Sequence, residues 1–327
     1  MTPNRTLVPL LPPELLRQHC CHEPNDTRYR AAARLAQSLW RERHGLPCGH
    51  TRSAATGRSR PLGSRLAGCA AQAGANLVDP DLVPLVRREL TYREPGAVFD
   101  EERLWGNMLS SQTLAFSFFG PLKRSPALAT AVLGRLFPDL IGVVTDVLFE
   151  HSPARCDPRF SGDRTAFDVL VRAKTPTGRR AFLAIEVKYT EAHGGQPAAH
   201  RPRYDELSRA AGVFHDPDSP ALRGGSLNQF WRQQLLATAM LRHGLYDAGR
   251  VVVIAPLPNR QCWGAIALYT AQLASADPAE RGFDAVALEH FVAALAEVGA
   301  EPAAERLADR YLDFRPATAA LEAALAR

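Results

Sequence analysis

Asp168, Glu186 and Lys188 are the residues of this chain whose types and spacing could do chemistry together. Glu186-Val187-Lys188 sets a carboxylate and an ammonium two residues apart, which puts both on one side of a β-strand. Leu183, Ile185 and Val187 then face the other way, into a core. Upstream, Phe167, Val169 and Val171 form an apolar alternation that leaves Asp168 on the opposite side of its own strand. If the two strands fold symmetrically about Thr177, Ala173 faces Ala181 and Asp168 faces Glu186. Directly opposed residues have Cβ atoms roughly 4.5–5.5 Å apart. Two carboxylates at that distance repel, and packing alone gives no reason to pair them; a divalent cation between them reverses the sign of the interaction. Hard oxygen ligands suit Mg²⁺ or Mn²⁺, which keep positions open for water and phosphate oxygens. Lys188 beside the ion would orient an attacking water or stabilise charge on a phosphorane-like transition state. The chain carries 36 arginines against lysines at 123, 174 and 188 alone. A lysine's pKa can be shifted where an arginine stays protonated, so the exception has a chemical motive. The competing reading is a solvated ion cluster, since a lone Glu-x-Lys is common and exposed pairs add little stability.

The elements that must position these residues are strands predicted over 165–173 and 181–189, joined by a turn containing Pro176 and Gly178. Residues 141–150, rich in Val and bounded by Pro138 and Pro153, read as a strand before them. Residues 251–255 are continuously apolar, the pattern of a strand buried on both faces, and 263–273 read as one more strand. Helices are predicted over 31–44 with Gly45 as terminator, and from the cap Asp79-Pro80 through residue 90. Others run over 100–119, ending at Gly120-Pro121, and over 227–243, 285–298 and 302–312. Residues 46–74 read as a loop or mobile segment carrying Arg52, Arg58, Arg60 and Arg65, and 190–226 as a long polar connection. The order helix, three strands, helix, strand gives an α/β fold with a mixed sheet.

At these residues the sequence resembles the PD-(D/E)XK nuclease superfamily, whose pattern is an acid, a variable spacer and (Asp/Glu)-x-Lys on the next strand. Here it stands as Phe167-Asp168, then Glu186-Val187-Lys188, with Phe in the place of the nominal proline. A further resemblance, to a bacterial family of restriction endonuclease-like proteins, extends over most of the chain. It is carried by Leu109-Ser110-Ser111-Gln112, Phe118-Phe119-Gly120-Pro121-Leu122, Phe149-Glu150-His151-Ser152-Pro153 and Asp163-Arg164-Thr165-Ala166-Phe167-Asp168, then by residues 185–191 and 229–236. The resemblance implies a restriction-endonuclease-like core, an α-β-β-β-α-β mixed sheet, with added N- and C-terminal helices. It puts Asp168, Glu186 and Lys188 in the catalytic roles; Asp168, Glu186 and the Val187 carbonyl are the candidate metal ligands, and Glu150, at the end of the first strand, is an additional acid that could help hold metal. Related nucleases place a polar helix toward the site or the DNA backbone, and Gln229, Arg232 and Gln233 share one helical face here. Ser111 and Gln112, beside Ser110 in an otherwise apolar helix, are the other candidates for lining the substrate cleft, since buried polar groups need partners. Each has a plain structural alternative: Glu150 as a strand-end carboxylate facing water, and the helical polar residues as the solvated side of a packed helix. His193, His200 and His215 lie in the long connection, which could cover bound substrate.

Composition, 46% hydrophobic and 22% charged, is that of a soluble globular chain. No apolar run approaches the length of a membrane helix, and the N-terminus does not read as a secretory signal, so the expectation is a cytoplasmic protein without a membrane partner. Cysteines 20, 21, 48, 69, 156 and 262 show no disulfide pattern. The contiguous Cys20-Cys21-His22 cannot easily chelate one ion tetrahedrally with Cys48 and His50. Residues 1–70 hold eleven arginines and four acids, a net +7 in a chain of net +5. A cationic front end beside a near-neutral body suits a polyanion. The chain divides into a basic N-terminal region, 1–99, and a nuclease-like core with C-terminal helices, 100–327. The expected function is a Mg²⁺-dependent DNA endonuclease of restriction or related defence, with RNA as the other substrate. The alternative is a non-catalytic nucleic-acid- or protein-binding module on the same fold. A homodimer is one arrangement open to it, because many double-strand cutters pair two sites.

Overall fold

Residues 8–52, 56–191 and 197–326 are described by the computed structural model. The first third of the chain forms α1 (Pro13–Gln18), α2 (Arg28–Arg43), an antiparallel hairpin β1 (Cys48–Arg52) and β2 (Ser59–Leu66), α3 (Gly68–Gln72), and a 3₁₀ turn Pro80–Leu82 leading into α4 (Val83–Thr91). Next come α5 (Glu101–Gly106), α6 (Ser111–Arg124), α7 (Pro126–Leu136), β3 (Val143–His151), β4 (Phe167–Lys174) and β5 (Arg180–Val187). Then follow α8 (Pro202–Ala211), α9 (Pro220–Arg223), α10 (Asn228–Arg242), β6 (Ala248–Ala255), α11 (Arg260–Thr270) and α12 (Pro278–Arg281). The chain closes with β7 (Phe283–Ala287), α13 (Leu288–Glu297), α14 (Glu301–Tyr311) and α15 (Arg315–Leu325).

The main sheet has the order β3-β4-β5-β6-β7. Its first three strands pair antiparallel and β5, β6 and β7 pair parallel, so the sheet is mixed. One core lies between the sheet and α2, α6, α7, α13 and α14, and takes Val169, Val171, Leu183, Ile185 and Val187. The second lies under α8, α10 and α11, and takes Leu170, Phe182, Ala184, Val251 and Val253. Each leucine or isoleucine so buried contributes about 1.5–3 kcal/mol. Phe167 departs from the expected face: as the first residue of β4 it packs into the second core rather than beside Val169.

The β4–β5 turn closes because Gly178, at φ +82°, adopts a left-handed backbone that a side chain would disfavour. The Thr175 N–H donates to the Arg179 carbonyl at 2.8 Å and brings the strand ends together. Ala173 stands opposite Ala181, the register expected from folding about Thr177.

Four expected elements differ. Within 46–74, expected as a loop, Cys48–Arg52 and Ser59–Leu66 form the β1–β2 hairpin and Gly68–Gln72 form α3. The hairpin lies against α2 so closely that a Cβ on Gly63 would sit 1.9 Å from Ser38 Oγ. The helix over 100–119 is two helices. Asn107 ends α5, its side chain accepts from the Leu109 N–H, and α6 runs past Pro121 to Arg124. Residues 263–273 are helical: Asn259 caps α11, and Cys262, Ala265, Ile266 and Tyr269 are buried at helical spacing. Residues 285–287 belong to β7, not to the helix that follows, because the edge of β6 offers them a parallel partner.

A buried arginine ties the two ends of the fold together. Arg310 of α14 donates to Gln37 of α2 and to the carbonyl and side-chain oxygens of Asn76. Gln37 returns a bond to the Arg310 carbonyl and another to the Tyr189 hydroxyl just beyond β5. Burial lowers the guanidinium's pKa.

Candidate active site

Strand β5 is buried on both faces, and past Arg180 its one charged residue is Glu186. A carboxylate in such a strand is costly unless partnered. Glu186, 3% exposed, accepts from Lys188 Nζ at 2.5 Å and from Gln229 Nε2 at 2.7 Å on the same oxygen. Its other oxygen accepts from Gln233 Nε2. Lys188 Nζ also donates to Gln229 Oε1 at 3.1 Å. Gln229 and Gln233 lie one turn apart on α10, so the helix grips both oxygens of the carboxylate.

The ladder of paired residues ends at Val169 opposite Ile185, and the next position along sets Asp168 against Glu186. Asp168 Oδ2 accepts from the Val187 N–H at 2.8 Å, which fastens the carboxylate to the neighbouring strand. Burial, then the charges of Glu186 and Glu150, push Asp168 well above the usual carboxylate range. Burial pulls the Lys188 ammonium down, but Glu186, Asp168 and Glu191 more than offset it and hold the group above its ordinary value. Lys188 is therefore a cation at neutral pH. Where a deprotonated lysine could act as a base, this one supplies charge and a donor.

Glu150, near the end of β3, has φ +47°, a left-handed backbone seldom taken by a residue with a side chain. Its carbonyl accepts from Arg155, and its Oε1 accepts from Gln112 Nε2 at 3.2 Å. Burial raises Glu150 to about 7, opposed by the Gln112 hydrogen bond and reinforced by Glu186.

These groups line one cavity of about 580 Å³: Glu150, Asp168, Glu186, Lys188, Gln229, Arg232 and Gln233, with Arg164 and Glu191 at its wall. Ser111 and Gln112 reach it indirectly. The Ser111 N–H donates to Glu191 Oε1 at 3.2 Å, and Gln112 acts through Glu150. Ser110 Oγ is buried with no partner among the described residues. His200 pairs with Asp205 instead of the acids, the His215 N–H donates to the Gln272 carbonyl, and His193 lies outside the described residues. Pro197 and Ala198 of the long connection do line the cavity, while much of the rest of that connection is α8 and α9.

Arg232 points to the cavity but is already engaged. Its guanidinium donates to Asp163 Oδ2 at 2.5 Å and to Thr165 Oγ1 at 2.6 Å. Asp163 also accepts from Ser161, Thr165 and Tyr204. These hydrogen bonds overcome the effect of burial and draw its carboxyl down to about 2. Asp163→Ala leaves the partly exposed Arg232 and three hydroxyl groups without their acceptor and is expected to cost about 2–3 kcal/mol, read as a lower thermal midpoint. A midpoint equal to wild type would show that Asp163 does not anchor Arg232. Glu191 is the second anchor that spacing does not reveal. It accepts from the N–H groups of Ser111, Tyr189 and Thr190 and from Arg103, and so pins the start of α6 to the end of β5. Both acids stand in stretches that carry the family resemblance, but nothing in their spacing announces an anchoring role.

The donor set fits a hard divalent cation. Four carboxylates line the cavity, Glu150, Asp168, Glu186 and Glu191, and burial with mutual repulsion drives Asp168 and Glu150 toward protonation, a deficit that a cation relieves. Among the described residues no three His, Cys, Asp or Glu side chains gather at ligand spacing, so the acids do not form a closed cage. Binding through one or two carboxylates, with water and phosphate oxygens completing the shell, is the habit of Mg²⁺. Asp168 together with Glu186 or Glu150 would supply such a pair, and Lys188 would stand beside it.

Among the described residues no helix is long and apolar enough to cross a membrane. Neither the curated proteins nor the solved structures include a significant match to the chain. The sequence model of one family does match, over residues 24–313, a span that takes in the whole main sheet and every residue of the cavity. With its five-stranded mixed sheet and flanking helices, the chain belongs to the PD-(D/E)XK nuclease superfamily.

Proposed function

We propose that the protein is a Mg²⁺-dependent endonuclease that hydrolyses DNA phosphodiester bonds in restriction or a related defence. The observation that carries this reading is the convergence of Asp168, Glu186 and the Lys188 ammonium in one cavity. When bound, the ion supplies a polarised phosphate and a water of lowered pKa. Asp168, Glu186 and the Val187 carbonyl would be its ligands, with Glu150 as an additional candidate. Lys188, kept protonated, donates to the attacking water or to a phosphate oxygen as negative charge develops. Gln229 fixes the lysine's position, and Gln233 steadies Glu186 from the other side. The net +7 over residues 1–70 supports a polyanionic substrate.

Pure protein with Mg²⁺ or Mn²⁺ is expected to nick supercoiled plasmid, and EDTA to stop it. RNA carries the same linkage and is assayed in parallel; cleavage of RNA alone would replace DNA as the substrate. Failure to cut either polymer with both metals overturns the proposal. One observation favours a second reading, a binding module without turnover. Glu186 already accepts from Lys188, Gln229 and Gln233, and a carboxylate so satisfied has no electrostatic need of an ion. That reading predicts a thermal midpoint indifferent to Mg²⁺, whereas the nuclease is stabilised by it.

A further inference from the structure

A second cavity, of about 1020 Å³, is larger than the candidate active site and shares none of its lining residues. It lies among the β1–β2 hairpin, α3, α4 and α5. Its wall includes Trp105, half-buried and packed against the main core, and the guanidinium groups of Arg65, Arg87 and Arg93. Arg65 is held by Glu102 at 2.6 Å and Arg93 by Glu101 at 3.3 Å, while Arg87 donates to the Gln72 carbonyl at 2.9 Å.

A ligand that satisfies this wall must be aromatic and anionic at once. A simple anion would leave the indole and most of the volume unused. An apolar molecule would desolvate three guanidinium groups and two carboxylates while offering no hydrogen bond to any of them. A nucleotide meets both requirements: its base stacks on the indole, its phosphate pairs with the arginines, and base N–H groups can donate to Glu101 or Glu102. The volume is at the upper end of ligand pockets, roughly 300–1,000 Å³, and so accommodates a base with its sugar and phosphate.

The two cavities share one stretch of chain. Arg93 and Trp105 line this one, Val98 between them lines the candidate active site, and Arg103 donates to Glu191 at the active-site wall. We infer that the larger cavity is a nucleotide-binding site that captures one unstacked nucleotide of the nucleic-acid substrate. Its occupancy then sets which phosphodiester lies over Asp168. This inference rests on the nuclease reading for its substrate but on its own residues for its chemistry.

Binding to a labelled oligonucleotide, single-stranded and duplex, is measured in EDTA by fluorescence anisotropy for the full chain. The variants are Trp105→Ala and Gly68→Leu. Gly68 lines the cavity and a Cβ on it meets nothing within 4 Å, so a leucine there narrows the cavity without a clash at its Cβ. Each variant is expected to bind about tenfold more weakly, the order of one lost base stack. Competition by nucleoside monophosphates that Gly68→Leu abolishes would identify the free nucleotide as the occupant. Weakened oligonucleotide binding without such competition identifies the polymer. Wild-type affinity in both variants overturns the inference, as does a loss confined to Trp105→Ala, which would trace to packing of the indole. Because no metal is present, the outcome is separate from catalysis. Intact cleavage with unchanged binding sinks the pocket alone, and absent cleavage with weakened variants sinks the nuclease alone.

Discussion

Asp168→Ala is expected to lower the rate of Mg²⁺-supported plasmid cleavage by about 10³-fold while leaving the protein no less stable. The rate follows from loss of one of the two opposed carboxylates. A single preorganised electrostatic contact is worth on the order of 10²–10³ in kcat, and a displaced ion affects every step that it assists. The stability follows from the site's own electrostatics. In the absence of metal, burial and the charges of Glu186 and Glu150 hold the Asp168 carboxyl well above its usual range. Alanine gives up one hydrogen bond from the Val187 N–H but removes that repulsion. A residue that costs stability and supports rate has the signature of function rather than packing. Single-turnover cleavage and a thermal scan in EDTA test both halves. Cleavage at wild-type rate would remove Asp168 from the chemistry. Lys188→Arg is expected to behave like Lys188→Ala, because a planar guanidinium cannot reproduce a compact ammonium between Glu186 and Gln229.

Without divalent metal, stability is expected to fall by about 3 kcal/mol between pH 4.5 and 7.5 on account of Glu150 alone. Burial, partly offset by Gln112 and reinforced by Glu186, raises its carboxyl from 4.5 to about 7. Below the unfolded value the group is protonated in both states and contributes nothing. Between the two values the unfolded chain ionises while the folded one keeps its proton, so unfolding releases a proton and stability declines as pH rises. Above about 7 the full penalty is present. Asp168, raised for the same reasons, adds to the same slope. Glu150→Gln is expected to flatten the decline and to raise the thermal midpoint at pH 8. Mg²⁺ is expected to do likewise in wild type, with release of protons on binding. A profile for Glu150→Gln that parallels wild type would count against a shared electrostatic site.

The hairpin was legible because its information is local. Alternation gave the faces of β5, the spacing of the turn gave the register, and the two together set Asp168 against Glu186 before any tertiary contact was considered. The grip of α10 was half legible. The helical spacing of Gln229, Arg232 and Gln233 predicts a shared face, but not that the glutamines meet Glu186 while Arg232 is taken by Asp163. That division depends on where Ser161, Thr165 and Tyr204 come to lie, which no short window contains. Residues 46–74 misled for a related reason. Their glycines and serines resemble a loop, yet Gly63 is small because α2 presses against the hairpin. The helix α11 and strand β7 show that short apolar runs do not reveal their periodicity. In each case a cap or a neighbouring strand decides.

The bond set around Arg310 bears on how the polypeptide is made. Asn76 and Gln37 leave a ribosome long before the guanidinium that they accept from, which lies 234 and 273 residues further along. The early segments therefore complete this bond set only once the last helices have been made. Such long-range closure slows folding, so nascent chains halted before residue 310 should remain protease-sensitive throughout α2, and release of the finished chain should protect that helix.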